Sequence, residues 1–188
     1  ETLVTCLAPG QLRLSHSSGD AIVDVAADRL VILDRRTGTY HVMSFSEWER
    51  RIQEATAGAD SMPAPRFEPI GDGGRIAGYA CWRHHLFTRH EVFPGEFERV
   101  EAEIWVTDEI PLAPATHDTY RRVLASFDRV DYGAAVQRPP GVVLRAQLRH
   151  TPENPGSPAE TETTDVLAVE PRTVDVESFA IPQGYVPA

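Results

Sequence analysis

The amino-acid sequence predicts a mainly β, α+β fold: a strongly curved antiparallel sheet with helices packed on its concave side. Three observations carry this. Residues 97–107 place Val100, Ala102, Ile104 and Val106 on one face of a strand, and Arg99, Glu101, Glu103 and Thr107 on the other, with Phe97 and Trp105 among them. Val142, Leu144, Ala146 and Leu148 repeat the pattern against Val143, Arg145, Gln147 and Arg149. The first part of the chain carries turn signals at short, regular spacing, which leaves no room for the crossovers that parallel strands need.

The predicted strands begin with residues 11–16, 21–25, 29–35 and 39–45, separated by Ser18-Gly19-Asp20, Ala27-Asp28 and Thr37-Gly38. A helix follows from Ser46 to a stop at Gly58. Ser46 and Glu49 read as a capping box, and Trp48, Ile52 and Ala55 recur at helical spacing. Residues 59–69 form a proline-punctuated excursion, and Gly71-Asp72-Gly73-Gly74 reads as a turn. That turn lacks the spacing and following helix of a phosphate loop. Long strands over 78–90 and 97–107 are joined at Pro94-Gly95. A second helix spans 116–130 with Tyr120, Val123, Leu124 and Phe127 on one face. Strands over 142–150 and 163–169, separated by a polar loop over 151–161, complete a single domain over 1–188.

Composition excludes several classes of function. A formal net charge of -10 disfavours nucleic acid as a partner. No apolar run approaches the length of a membrane span. All 18 basic residues are Arg, which removes Schiff-base and lysine general-base chemistry. The chain opens on Glu1-Thr2 with no Met and no charged-then-apolar leader, and so reads as a processed or trimmed protein. Cys6 and Cys81 form no Cys-x-x-Cys pattern; their even count fits one disulfide or two buried thiols equally.

Catalytic and metal chemistry find little support. His84 and His85 point to opposite faces of a strand, and His84 and His90 lie about 20 Å apart along it, against metal–nitrogen bonds of about 2.1 Å. Help from His41 or His150 has no supporting pattern, so no metal or other cofactor is expected. There is no Gly-x-Ser-x-Gly elbow, and Cys81 sits in mid-strand. Glu101 and Glu103 lie on a solvated face with nothing to raise their pKa values. The expectation is a protein that is not an enzyme.

Three segments resemble a known group. The Ile-Ala-Gly-Tyr-x-Cys run over 76–81 is similar to a signature in an uncharacterised family of exported bacterial proteins. Residues 34–44, ending Thr39-Tyr40-His41-Val42-Met43-Ser44, look like that family's strand before its first helix. Phe179-Ala-Ile181-Pro182-Gln-Gly184-Tyr185 resembles its closing motif, and Glu103-Ile-Trp105-Val-Thr107 its aromatic second long strand. The family is related to the LolA/LolB-like superfamily of lipoprotein carriers. The resemblance implies an unclosed β-barrel with two or three helices inside it, in the periplasm or bacterial cell envelope. It carries over no catalytic residue. The sequence shows fewer helices than the carriers, and no lipobox cysteine begins the chain.

In such a fold Trp82, Leu86, Ile104, Val106, Leu144 and Leu148 would line an apolar volume. The leading expectation is therefore a cell-envelope protein that holds an apolar or acyl-chain ligand, with peripheral membrane contact. The alternative is a protein-interaction or envelope-sensing module with a fully packed core and an envelope protein as partner. In an exported protein Cys6 and Cys81 would pair, tying the amino-terminal strand to a central one.

Overall fold

The computed structural model describes residues 4–15, 17–56, 66–93, 96–132, 139–154 and 156–188, with the backbone alone at 55–56, 90–93 and 128–132. His16, the helix stop at Gly58, residues 59–65 of the excursion and the Pro94-Gly95 turn lie outside the described residues. So does the side chain of His90.

In chain order the elements are β1 (Val4–Ala8), β2 (Gln11–Ser15), β3 (Gly19–Asp24), β4 (Arg29–Asp34), β5 (Thr39–Ser44), α1 (Phe45–Thr56), β6 (Glu68–Ile76) and β7 (Tyr79–Phe93). Then come β8 (Glu96–Thr107), α2 (Pro114–Tyr132), β9 (Val142–Pro152), β10 (Glu160–Asp165), a 3-10 turn (Val176–Phe179) and β11 (Val186–Pro187). The protein is mainly β, as the alternation predicts. Its described strands divide into two sheets, of order β1-β2-β3-β4-β5-β11 and β10-β9-β8-β7-β6, and neither closes into a barrel. All pairings are antiparallel except β11 with β5. The chain forms two compact units: Glu1–Gln53, Leu112–Phe127 and Arg172–Ala188 make the first, Glu54–Pro111 and Asp128–Pro171 the second.

The first unit is the meander predicted from the turns, with one strand added at each edge, β1 beside β2 and β11 beside β5. Alternation sorts its apolar residues onto both faces. Leu12, Val23 and Leu30 pack with Phe45 of α1 and Val123 of α2, and Trp48 and Phe127 meet at a centroid distance of 5.7 Å. Ile22, Val31 and Leu33 of the opposite face are buried against Phe179. A sheet covered on both faces puts apolar residues at successive positions, which is why Leu30-Val31-Ile32-Leu33 is a continuous run.

The start of α1 differs from the predicted capping box. The helix begins at Phe45, and the Ser44 hydroxyl accepts the Glu47 N–H at 3.1 Å. Asp28, in the β3–β4 turn, accepts the Ser46 N–H at 2.7 Å and the hydroxyls of Ser44 and Ser46 at 2.6 and 2.9 Å. These hydrogen bonds hold its carboxyl below the usual range. Glu49 caps nothing; it makes a two-pronged ion pair with Arg122 of α2 at 2.7 and 3.0 Å.

The second unit also departs from the predicted turns. Gly71 to Gly74 belong to β6, and the hairpin turn is Ala77-Gly78, both at positive φ (47° and 88°), between the paired residues Ile76 and Tyr79. Residues 76–81 thus span this turn, with Tyr79 to Cys81 opening β7. β10 starts earlier than predicted, and β9 carries a bulge: Trp105 pairs with Arg145 but Val106 with Val143. Leu144 is thereby left over, which flips its side chain relative to Ala146 and Leu148.

Candidate interaction surface

Four of the six residues expected to line a cavity come together. Leu86, Ile104, Val106 and Leu148 share one cluster with Phe67, Val100 and Ala102, built across β7, β8 and β9. Val100, Ala102 and Ile104 are 0% exposed. A void wide enough for an acyl chain would leave the side chains along it open to a water-sized sphere, so these three face close-packed neighbours.

The other two are elsewhere, each for a local reason. Leu144 is turned by the bulge in β9 into a second cluster on the opposite face, with Ile76, Cys81 and Trp105. Trp82 keeps the parity of Leu86 but is 61% exposed. Its partner on β6 is Asp72, flanked by Gly71, Gly73 and Gly74, so the neighbouring strand offers no apolar side chain to bury the indole. Gly73 is required for a different reason: a Cβ there would sit 2.6 Å from the Trp105 ring and 3.0 Å from the Cys81 carbonyl oxygen.

The two cysteines of the expected disulfide lie in different units, and each is a free thiol. Cys6 is a half-buried thiol on β1 in the first unit, and Cys81 a buried thiol on β7 in the second. Each packs in a different apolar cluster, and burial pushes the Cys81 thiol pKa up. Among the described residues, no three His, Cys, Asp or Glu side chains converge as a metal site would need.

Beyond the second cluster, the face of the second sheet that carries Trp105 is polar, and several of its charges are paired. Arg89 grips Glu153 through two hydrogen bonds of 2.9 Å and lies 3.7 Å from the Phe97 ring centroid. Arg145 pairs with Asp165 and lies 5.4 Å from the Trp105 ring centroid. Arg83 approaches Glu103 at 3.8 Å. These pairs lie on a solvated surface, where each is worth about 0–1 kcal/mol. Phe87, 54% exposed, sits in this row of charges.

Among the described residues of the second unit, the exposed large apolar side chains are Ile70 on β6, Trp82 and Phe87 on opposite faces of β7, and Leu167. β6 is an edge strand with two register shifts. Sequence alternation missed this surface because it assigns faces without showing what covers them. The glycines opposite Trp82 were the available signal. The fold and surface define a mainly β protein of two antiparallel sheets with an aromatic, glycine-lined sheet edge. No family model, no curated protein and no solved structure matches the chain.

Proposed function

We propose that this chain is a non-catalytic interaction module of the bacterial cell envelope, which holds a polypeptide partner at the β6–β7 edge with Trp82 as anchor. One observation carries the reading. Trp82 is largely exposed on a strand held between two others, while Leu86 and Ile104 on its own face are fully buried. A rigidly held, exposed indole offers a large apolar contact at little entropic cost, and such residues dominate binding energy at interfaces. An edge strand beside it can add an extended segment through its backbone. The envelope setting rests on the likeness of residues 76–81 and 179–185 to exported proteins.

An acyl-chain carrier is less well supported, because its expected liners pack against one another. The test combines two arms. Peptides selected from a displayed library on the parent should lose about thirtyfold in affinity on Trp82→Ala, with an unchanged thermal melt. A fluorescent fatty acid should not bind the parent. Saturable fatty-acid binding, lost in Ile104→Val or Leu86→Ala variants that still fold, would overturn the module and restore the carrier.

A further inference from the structure

We propose that residues 172–188 are a releasable strap seated in a peptide-binding groove of the first unit. It is a built-in occupant that an extended segment of like chemistry, from another chain, displaces. The inference concerns the first sheet and is independent of Trp82.

The groove is the sheet face opposite the helices. Its floor is Ile22, Val31 and Leu33, with Cys6 and Tyr40 at its sides, and the strap fills it with Phe179, Ile181 and Tyr185. Phe179 is 3% exposed. Three further contacts address the strap's backbone atoms, and these are blind to its sequence. Arg13 donates from Nη1 to the Ser178 carbonyl oxygen at 2.9 Å. Along the edge of β5, the Val186 N–H donates to the Gly38 carbonyl and the Ala188 N–H to the Tyr40 carbonyl, both at 3.0 Å. An apolar trough, a guanidinium aimed at a main-chain carbonyl and an open parallel edge recognise an extended peptide with an aromatic residue two before an aliphatic one.

The receptor side stays assembled when the strap leaves. Arg13 also pairs with Asp20, which Arg35 holds from its other oxygen at 2.7 Å. Asp20 is buried, so its two guanidinium partners are held in place by a carboxylate that cannot be left alone there. The strap's strand pairing is short: β11 pairs over two residues, Val186 with Thr39 and Pro187 with Tyr40, whereas β3 pairs over five residues with β2 and six with β4. The 3-10 turn bonds internally, with the Glu177 N–H on Asp175 Oδ1 at 3.0 Å, and so moves as a piece. Val42, on the same face as Val31 and Tyr40, is 54% exposed beside the groove.

The experiment uses the full chain and a fluorescein-labelled peptide of residues 174–188, with a scrambled control. In the parent, the amides of Val186 and Ala188 should exchange with deuterium about a hundredfold faster than those of β3, because the strap opens without the sheet. The labelled peptide should bind, and about tenfold more tightly to Phe179→Ala, whose own strap competes less well. Arg13→Ala should weaken peptide binding. If Phe179→Ala does not fold, Tyr185→Ala serves as the milder variant. A dimer that excludes the peptide would identify the displacing chain as a second copy and support the proposal. Exchange of the strap in step with β3, or no preference for the peptide over its scramble in parent and variants, would overturn it.

Discussion

The two sheets bury their apolar residues by different means. The first is made of strands of five or six residues joined by tight turns, and segments distant in sequence cover both of its faces. The second is made mostly of long strands, up to 15 residues in β7, and gathers its main cluster on one face and its ion pairs on the other. Long strands outrun their cover, which leaves Trp82 exposed beside a buried cluster and Phe87 exposed among charged side chains. The short strands of the first sheet leave smaller apolar side chains open, Val4, Val42 and Val186, and the second sheet presents the larger ones.

The most severe test of that contrast is a charge at the centre of the second sheet. Ile104→Glu places a carboxylate among Ala102, Leu148 and Val106, and should cost more than about 4 kcal/mol, abolishing the cooperative melt seen by circular dichroism. A folded, stable Ile104→Glu protein would mean that this cluster is not a packed core. Next in size, Phe45→Ala in the first unit should cost about 3–5 kcal/mol, since the ring is fully buried between sheet and helices. Trp82→Ala should change stability by less than about 0.5 kcal/mol in the same denaturant titration. Equal losses for the two variants would erase the distinction between a packing aromatic and a presented one.

Acid should separate the units. Asp20, Asp24, Asp28 and Asp34, all in the first unit, are held below their usual pKa values, as is Glu153 in the second. For Asp20, burial opposes ionisation, but hydrogen bonds and charge from Arg13 and Arg35 outweigh it. A carboxyl with a lowered folded pKa contributes its stabilisation above the unfolded value of about 4 and loses it as pH falls through the folded value. Hydrogen exchange read between pH 4 and 2 should therefore show β2–β4 losing protection before β7–β9. The reverse order would place the acid-labile contacts in the second unit. One substitution should bring a gain: Ala77→Gly relieves a side chain held at φ 47° and should stabilise by about 0.5–1 kcal/mol, measured as a shift in denaturant midpoint.

The same contrast explains what could be read from the sequence. β2 to β5 and the apolar face of α2 were legible because short strands with turn residues between them keep their phase. Leu144 was misplaced because a bulge shifts the phase by one residue, and no residue type announces it. The glycine run 71–74 reads as a turn by propensity, yet it is strand because Trp105 needs the space above Gly73. Ser46 matched a capping pattern that Asp28, distant in sequence, made unnecessary. β11 is too short to leave a periodic trace. The site suffered most, since exposure of Trp82 depends on what the adjacent strand lacks.

The chain passes between its two units four times, and so neither unit is a contiguous stretch. On the ribosome, β1 to β5 emerge early, but α2 begins only at Pro114 and the strap only at Arg172. At ordinary synthesis rates the uncovered face waits on the order of ten seconds for its last piece. During that wait Ile22, Val31 and Leu33 are open to any chaperone or neighbouring nascent chain. A ribosome stalled before Arg172 would therefore release a chain whose first sheet has one face dressed and the other bare.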